Sequence, residues 1–473
     1  MVSRVPRRAA LALGLLLGGC TVGPDYKLPG NALVNTPASQ LAFPARGGTQ
    51  PAAPPDDWWQ LYSDPVLDRL VPEALAKNTN IREAQANLER TYALITETRD
   101  SRSFSASAAA TAIYAQDSAQ AVLQNVQPPR MEEYNTGISV GYDLDLFGAI
   151  RRGVEAATAT SEAAADARDL VRVNVAAETT RAYAEICDDG NEIAALQNVI
   201  ALQQQRASLV ALLRTDGRAV DFDVDQQQED VGTLQAELPV LQAQRLNAAY
   251  RLSTLLGQPP AAYDPAWLAC TRPLRLRQPI PVGDGRALLR RRPDVREAER
   301  DLAAATARIG VETADLYPDI RLGASIGSTG VAANAFSPLT NRFALGPMIS
   351  WDLNQGATRA RIAAAKAATR ASLAAFDGTV LKALLETQTA LQSYGAQLNR
   401  LGDLSATRDD AAKVAADQAA LRAGGRVDAL TALTAQQTLA AAQLTVATAQ
   451  TDVTQSQIAV FLALGGGWKT TGP

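Results

Sequence analysis

Histidine is missing from all 473 residues, which removes imidazole as acid, base or metal ligand and with it every Ser-His and Cys-His catalytic arrangement. Only three cysteines and three methionines occur, and the cysteines fall at no zinc-binding spacing. A Walker-type phosphate loop is absent as well, because Gly465-Gly466-Gly467 follows a helical stretch and so reads as its stop. Aromatic residues make up 5%, which fits long packed helices better than a thick globular core. Carboxylate pairs such as Asp188-Asp189 and Asp409-Asp410 lie on helical stretches and read as solvated faces. An exported enzyme would therefore lack a site. A net positive charge is also lacking: the formal net charge is −4, and removing Arg4, Arg7 and Arg8 lowers it to −7, which argues against nucleic acid as a partner.

Proline is absent from Gly356 to Gly467, a stretch rich in Ala, Leu, Gln and Thr and broken only at Gly424-Gly425. These residues favour helix, and a glycine pair tolerates the positive φ of a turn, so two long helices joined by a tight turn are predicted. On the second, Leu430, Leu433, Gln437, Ala440, Leu444, Ala447, Thr451, Thr454, Ile458 and Phe461 alternate steps of three and four, a heptad seam of mostly small residues. A first arm of roughly 60 residues would be about 90 Å long. The arrangement recurs earlier in the chain: one constant offset relates Arg214 to Arg422, Gly217 to Gly425, Leu256 to Leu464 and Gly257 to Gly465. The chain is thus a tandem duplication of a unit of about 200 residues, far longer than a solenoid repeat.

The apolar run Ala9 to Leu17 is too short to span a bilayer as a helix. Preceded by arginines, it reads instead as an export signal. It ends in Leu17-Gly18-Gly19-Cys20, which resembles the lipobox of bacterial lipoproteins, with Cys20 acylated and Thr21 after it implying sorting to the outer membrane. Several acyl chains on one residue would anchor stably. Cys187 and Cys270 remain; an exported protein could pair them, but so wide a separation gives no framework signal.

From Thr21 to Pro55 an extended, non-helical lead is expected, followed by Trp58-Trp59 packed against a helix running from near Val66 to about Arg102. Period-two alternation then appears in Phe104–Tyr114, in Ile138–Leu146, in Ile320–Ile326 and in Phe343–Leu353. Each strand is about 10 residues, the length a tilted strand needs to cross a bilayer, with aromatics at or near strand ends. Four strands cannot close a barrel, and a membrane sheet cannot leave its edges unpaired, so several chains must contribute. Pro239 predicts a kink in the helix from about Val220 to Leu256.

The helix turns carry what chemistry remains. Near the first stand Asp216, Asp221, Asp223 and Asp225; near the second stand Asp428, Thr431 and Thr434. Acids there serve as helix caps, and symmetry copies converging at the end of a tube would also form a cation-attracting ring.

Several stretches taken together resemble the TolC-like outer-membrane efflux channels, in their lipoprotein branch. They are Cys20-Thr21-Val22-Gly23-Pro24-Asp25-Tyr26, Trp58-Trp59-Gln60-Leu61-Tyr62, Asp143-Leu144-Asp145-Leu146-Phe147-Gly148, Arg291-Arg292-Pro293-Asp294-Val295-Arg296-Glu297-Ala298-Glu299 and Leu462-Ala463-Leu464-Gly465-Gly466-Gly467-Trp468. The resemblance implies a mainly α fold with membrane β: a homotrimer whose twelve-stranded barrel continues into an α-helical barrel. It also implies a passive conduit that docks a periplasmic adaptor and an inner-membrane pump to export drugs or other toxic solutes, without cofactor beyond the lipid on Cys20. The segments would be 1–19 signal, 20–60 lead, 61–270 first repeat, 271–284 Pro-rich crossover, 285–468 second repeat and 469–473 tail. The family's acidic ring at the second turn falls here on Thr434 and Thr431, leaving Asp428 one turn early; Asp221 and Asp223 stay at the first turn, and Leu430 keeps the apolar position of the aperture. Arg214, Gly217, Arg422, Gly424 and Gly425 resemble the tip that meets the adaptor. A conduit for protein secretion and a non-conducting, lipid-anchored coiled-coil scaffold are the alternatives.

Overall fold

The computed structural model describes residues 21–44, 47–120, 123 and 125–466. The expected leader, Cys20 and the tail lie outside the described residues. In the first half come β1 (Thr49–Gln50), α1 (Leu67–Lys77), α2 (Thr79–Asp100), β2 (Ser105–Ala115), β3 (Met131–Asp143), α3 (Ala149–Thr215) and α4 (Asp221–Leu255). The second half adds β4 (Ile280–Pro281), α5 (Gly285–Arg291), α6 (Pro293–Ala314), β5 (Asp319–Val331), β6 (Asn341–Ser350), α7 (Gly356–Ala423) and α8 (Ala429–Ala463). These fall into two compact units. One holds residues up to Pro29, Asn87–Ala164 and Glu297–Phe376; the other holds Gly30–Ala86, Ala165–Arg296 and Asp377 onward.

The first unit carries an antiparallel sheet of order β2-β3-β5-β6, with strands of 10 to 13 residues. Register follows the alternation. Ala108, Ile138, Ile326 and Phe343 form one rung, and Ala106, Val140, Ala324 and Leu345 the rung two residues on, all on one face. Their large members are exposed, Phe343 at 86% and Leu345 at 83%. The opposite face is small and polar, with Ser107, Ser139 and Ser325 in one rung and Gly137, Gly327 and Arg342 in the next. The two glycines leave room for the Arg342 guanidinium, which donates to Asn135 Oδ1 at 2.8 Å. In water an apolar face this exposed is a liability; in lipid it is the required exterior. Among the described residues β2 and β6 have no outer neighbour.

Two strands end earlier than the sequence pattern predicts. Leu144 and Leu146 lie beyond β3, because the Asp145 amide donates to Asp143 Oδ1 (2.9 Å) and Asp145 turns to φ 42°. Its carboxylate then accepts from the amides of Ile150 and Arg151 at 2.9 and 3.0 Å, starting α3. Trp351 follows β6, its indole donating to the Leu316 carbonyl (3.1 Å).

The second unit holds the main core. Trp58 stacks on Phe461 with centroids 4.5 Å apart, and Trp59 is also buried, so the tryptophan pair packs inward. The lead is more ordered than its composition predicts: two 3-10 turns, Leu33–Asn35 and Pro37–Gln40, precede β1, which pairs in parallel with β4 of the crossover. The helix expected from Val66 to Arg102 is two helices. Asn78 between them is extended (ψ 135°) and accepts from the Asn80 amide at 2.9 Å while donating to the Leu255 carbonyl at 3.0 Å. Arg292 repeats that contact in the second half, donating to the Ala463 carbonyl at 2.9 Å. Helix α4 runs without a break through Pro239. Every seam residue of α8 from Leu430 to Phe461 is buried or half-buried.

Cys187 and Cys270 form a disulfide across 83 positions, which separation alone did not foretell. Arg245 secures the same corner, donating to the carbonyls of Ile186, Leu268 and Cys270 at 3.0, 2.7 and 2.6 Å.

Asp188 overturns the solvated-face reading. It is fully buried and, among the described residues, neither carboxylate oxygen has a hydrogen-bond partner, because the α3 face that carries Cys187 also turns Asp188 into the core. Burial, with Asp189 and Glu192 nearby, holds its pKa well above the usual carboxylate range. A raised folded-state pKa means stability is greatest below the unfolded value and falls as pH rises through the folded one. Asp188→Asn should therefore melt at a higher temperature than wild type at pH 8, with the gap narrowing toward pH 4. Equal melting temperatures at both pH values would contradict this account.

Candidate functional site

The two helix turns, both in the second unit, share one C-terminal geometry. At the first, Gly217 (φ 68°) donates to the Arg214 carbonyl at 3.0 Å and Arg218 donates to that of Leu213 at 2.8 Å. At the second, Gly425 (φ 68°) donates to Arg422 and Arg426 to Leu421, both at 2.9 Å. A left-handed glycine closing the last carbonyls explains why glycine stands at both places. Gly424 precedes its partner glycine, exposed like it.

The starts of α4 and α8 differ. Asp223 accepts from the Val220 amide (3.0 Å), so the acid sits in the first turn and reaches back. Asp428 instead precedes α8 and accepts from the Thr431 amide (2.7 Å). Each turn thus uses the opposite half of a capping box. The Thr431 amide and hydroxyl donate to Asp428 and lower its carboxyl below the usual range, with Arg218 acting the same way. Asp221 pairs with Arg214 Nε at 2.6 Å within its own turn, both side chains exposed, a pair worth about 0–1 kcal/mol. Arg422 is exposed and makes no ion pair among the described residues.

Thr434 leads to residues that the sequence did not single out. Its hydroxyl donates to the Leu430 carbonyl (2.8 Å) and accepts from Arg206 Nη1 (3.2 Å), which also donates to Gln437 Oε1 (3.0 Å). Gln437 Nε2 donates to Gln203 Oε1 (2.5 Å), and Gln203 Nε2 donates to Gln227 Oε1 and Asp230 Oδ2, both at 3.1 Å. One side-chain network therefore ties α8 to α3 and α4 about three turns from the glycines. The signal was present in the paired triple-glutamine runs Gln203-Gln204-Gln205 and Gln226-Gln227-Gln228 and in the polar seam position Gln437. Leu430 is half-buried beside this network. No group of acids or cysteines suited to a metal ion occurs among the described residues.

The model of the family described as outer membrane efflux protein matches residues 70–258 and 285–466, one stretch in each half. The chain belongs to this family. Relatives of this efflux protein include "Nodulation protein T" of Rhizobium leguminosarum bv. trifolii, 28% identical over 82% of both chains. Another is "Antibiotic efflux pump outer membrane protein ArpC" of Pseudomonas putida, 28% identical over 96% of this chain and 94% of that one. Among solved structures, the outer-membrane channel OprN superposes with a TM-score of 0.84 at 32% identity, over 95% of this chain and all of that one. The efflux protein is accordingly an outer-membrane channel component, with the mainly helical, sheet-bearing fold of such channels.

Proposed function

We propose that three copies of the efflux protein join their sheets into a twelve-stranded barrel and form the passive outer conduit of a tripartite pump for small toxic solutes. The observation that carries this is the four-stranded sheet: bilayer-length strands, an exposed apolar face, a small polar face and two edges without partners among the described residues. Edges in hydrocarbon must be paired, and pairing β2 of one copy with β6 of the next closes the ring. The channel itself catalyses nothing on this reading, and a lipid on Cys20 is its sole added group. Relatives named for antibiotics and solvents support small solutes as cargo. Exposed Leu212, Val220 and Phe222 around the first turn offer an apolar footing for a periplasmic adaptor, with Arg214 and Arg422 beside the turn glycines.

Under the same proposal the turns converge at the periplasmic opening, with Leu430 as its apolar constriction and Asp221, Asp223 and Asp428 as its charges. Single-channel recording in a planar bilayer, with the mass measured in detergent on the same sample, tests the whole. A conducting trimer is expected, and a monomer or a silent trimer would defeat it. Leu430→Ser should widen the aperture and raise the conductance several-fold; unchanged conductance would remove Leu430 from the constriction.

A further inference from the structure

The residues that follow Cys20 do not lie loosely on the first unit. Val22 donates its amide to the Phe147 carbonyl at 3.1 Å. Arg152, its side chain 4% exposed, donates from Nε to the Val22 carbonyl (3.1 Å) and from Nη2 to the Gly23 carbonyl (3.2 Å) and Asp25 Oδ1 (2.7 Å). Its Nη1 donates to Glu155 at 2.6 Å. Four of the five guanidinium donors are thus used, three of them on the lead. Glycines shape the channel these residues occupy: a Cβ on Gly23 would sit 2.4 Å from Gly310 Cα, one on Gly148 2.8 Å from Thr21, and one on Gly310 2.6 Å from Arg152 Cγ. Beyond it, Tyr26 donates to Glu299 Oε1 at 2.7 Å beneath the Arg300 guanidinium and packs on Ala159, Ala303 and Ala304.

We infer that this slot is a docking site for residues 21–26, and that Arg152 is the positioning residue that fixes where the chain leaving the anchor residue Cys20 joins the body. Three glycines at which a Cβ would clash and a buried, lead-directed arginine are more than a tether needs. A flexible leash would require neither. Thr21 lies against Gly148, next to Phe147, which stacks on Tyr317 at 4.5 Å. Thr21 is therefore held at the junction of the sheet and its helices, beside an aromatic pair, rather than at any point within reach of a loose chain. The function of the slot as an anchor locator rests on the acylation of Cys20, but the docking does not.

A nitroxide on Lys27→Cys, in the acylated protein reconstituted in lipid, reads the docking directly, Cys187 and Cys270 being paired. Wild-type background should give an immobilised spectrum. Arg152→Ala and Gly23→Ala should each lose the immobilised component while the melting temperature of the remaining body stays near wild type, and Arg152→Lys should restore part of it. Cys20→Ala should lose palmitate incorporation yet keep the immobilised component. A mobile label in wild type, or an immobilised one in both Arg152→Ala and Gly23→Ala, would overturn the slot. A label freed by Cys20→Ala alone would show that the lipid holds the lead, and would overturn it too. Continued palmitate labelling of Cys20→Ala would instead remove the lipobox reading and leave the slot standing.

Discussion

Arg206→Ala should produce a channel that opens more widely and more often than wild type. The guanidinium makes two hydrogen bonds from α3 to α8, to Thr434 and Gln437. Charge-assisted bonds contribute about 1.5–3 kcal/mol. Losing one such amount from the state in which α8 is held to α3 shifts the held-to-released ratio roughly ten- to a hundredfold. Gln203→Ala should act in the same direction, because Gln203 links Gln437 to Gln227 and Asp230. Being buried, it would also leave those groups unsatisfied. In single-channel recordings the free-energy effect of the double variant should fall short of the sum of the two single effects, since both act on one network. Conductance and open time equal to wild type in Arg206→Ala would mean that the network staples the helices without governing the opening.

Removing the disulfide should have the largest effect on stability. Cys187 is buried on α3 and Cys270 lies in the crossover between halves, so the bond closes a loop of 83 positions that contains α4. A cross-link of this kind stabilises by about 2–4 kcal/mol, mainly by restricting the unfolded chain. Cys270→Ser should therefore lower the melting temperature by several degrees, and reduction of wild type should reproduce the shift. The Arg245 bonds to Leu268 and Cys270 carbonyls remain in the variant and should keep the crossover near its native path. A melting temperature that neither reduction nor Cys270→Ser moves would show that the loop is fixed by Arg245 and packing alone.

The long helices, the four strands and the glycine turns could be read from the chain because each is a local, periodic pattern. The face of the sheet that carries Ile138, Ile326 and Phe343 followed from alternation alone. What could not be read depends on contacts between distant residues. Asp188 looked like half of a solvated carboxylate pair until the packing of α3 placed it beside the core, and the pairing of Cys187 with Cys270 had no local signature. The break at Asn78 depends on a carbonyl at Leu255, far along the chain. At the turns the sequence located the acids and Leu430, but Arg206 and Gln203 emerged only when α3 and α8 were side by side. Capping could be foreseen at Asp428; that Asp223 reaches backward to Val220 could not.

The opposed caps at the two turns also bear on how the hairpin ends behave. A complete reciprocal cap would secure two backbone amides at each helix start, and each hairpin here secures one by this means, through Asp223 in the first half and Asp428 in the second. A helix start that lacks half of its closure frays more readily than its middle. After duplication the two copies diverged in residue type, yet both kept their ends equally incomplete. The tips are thus where these coiled hairpins first come apart, while the seam from Leu433 to Phe461 keeps the rest of α8 in place.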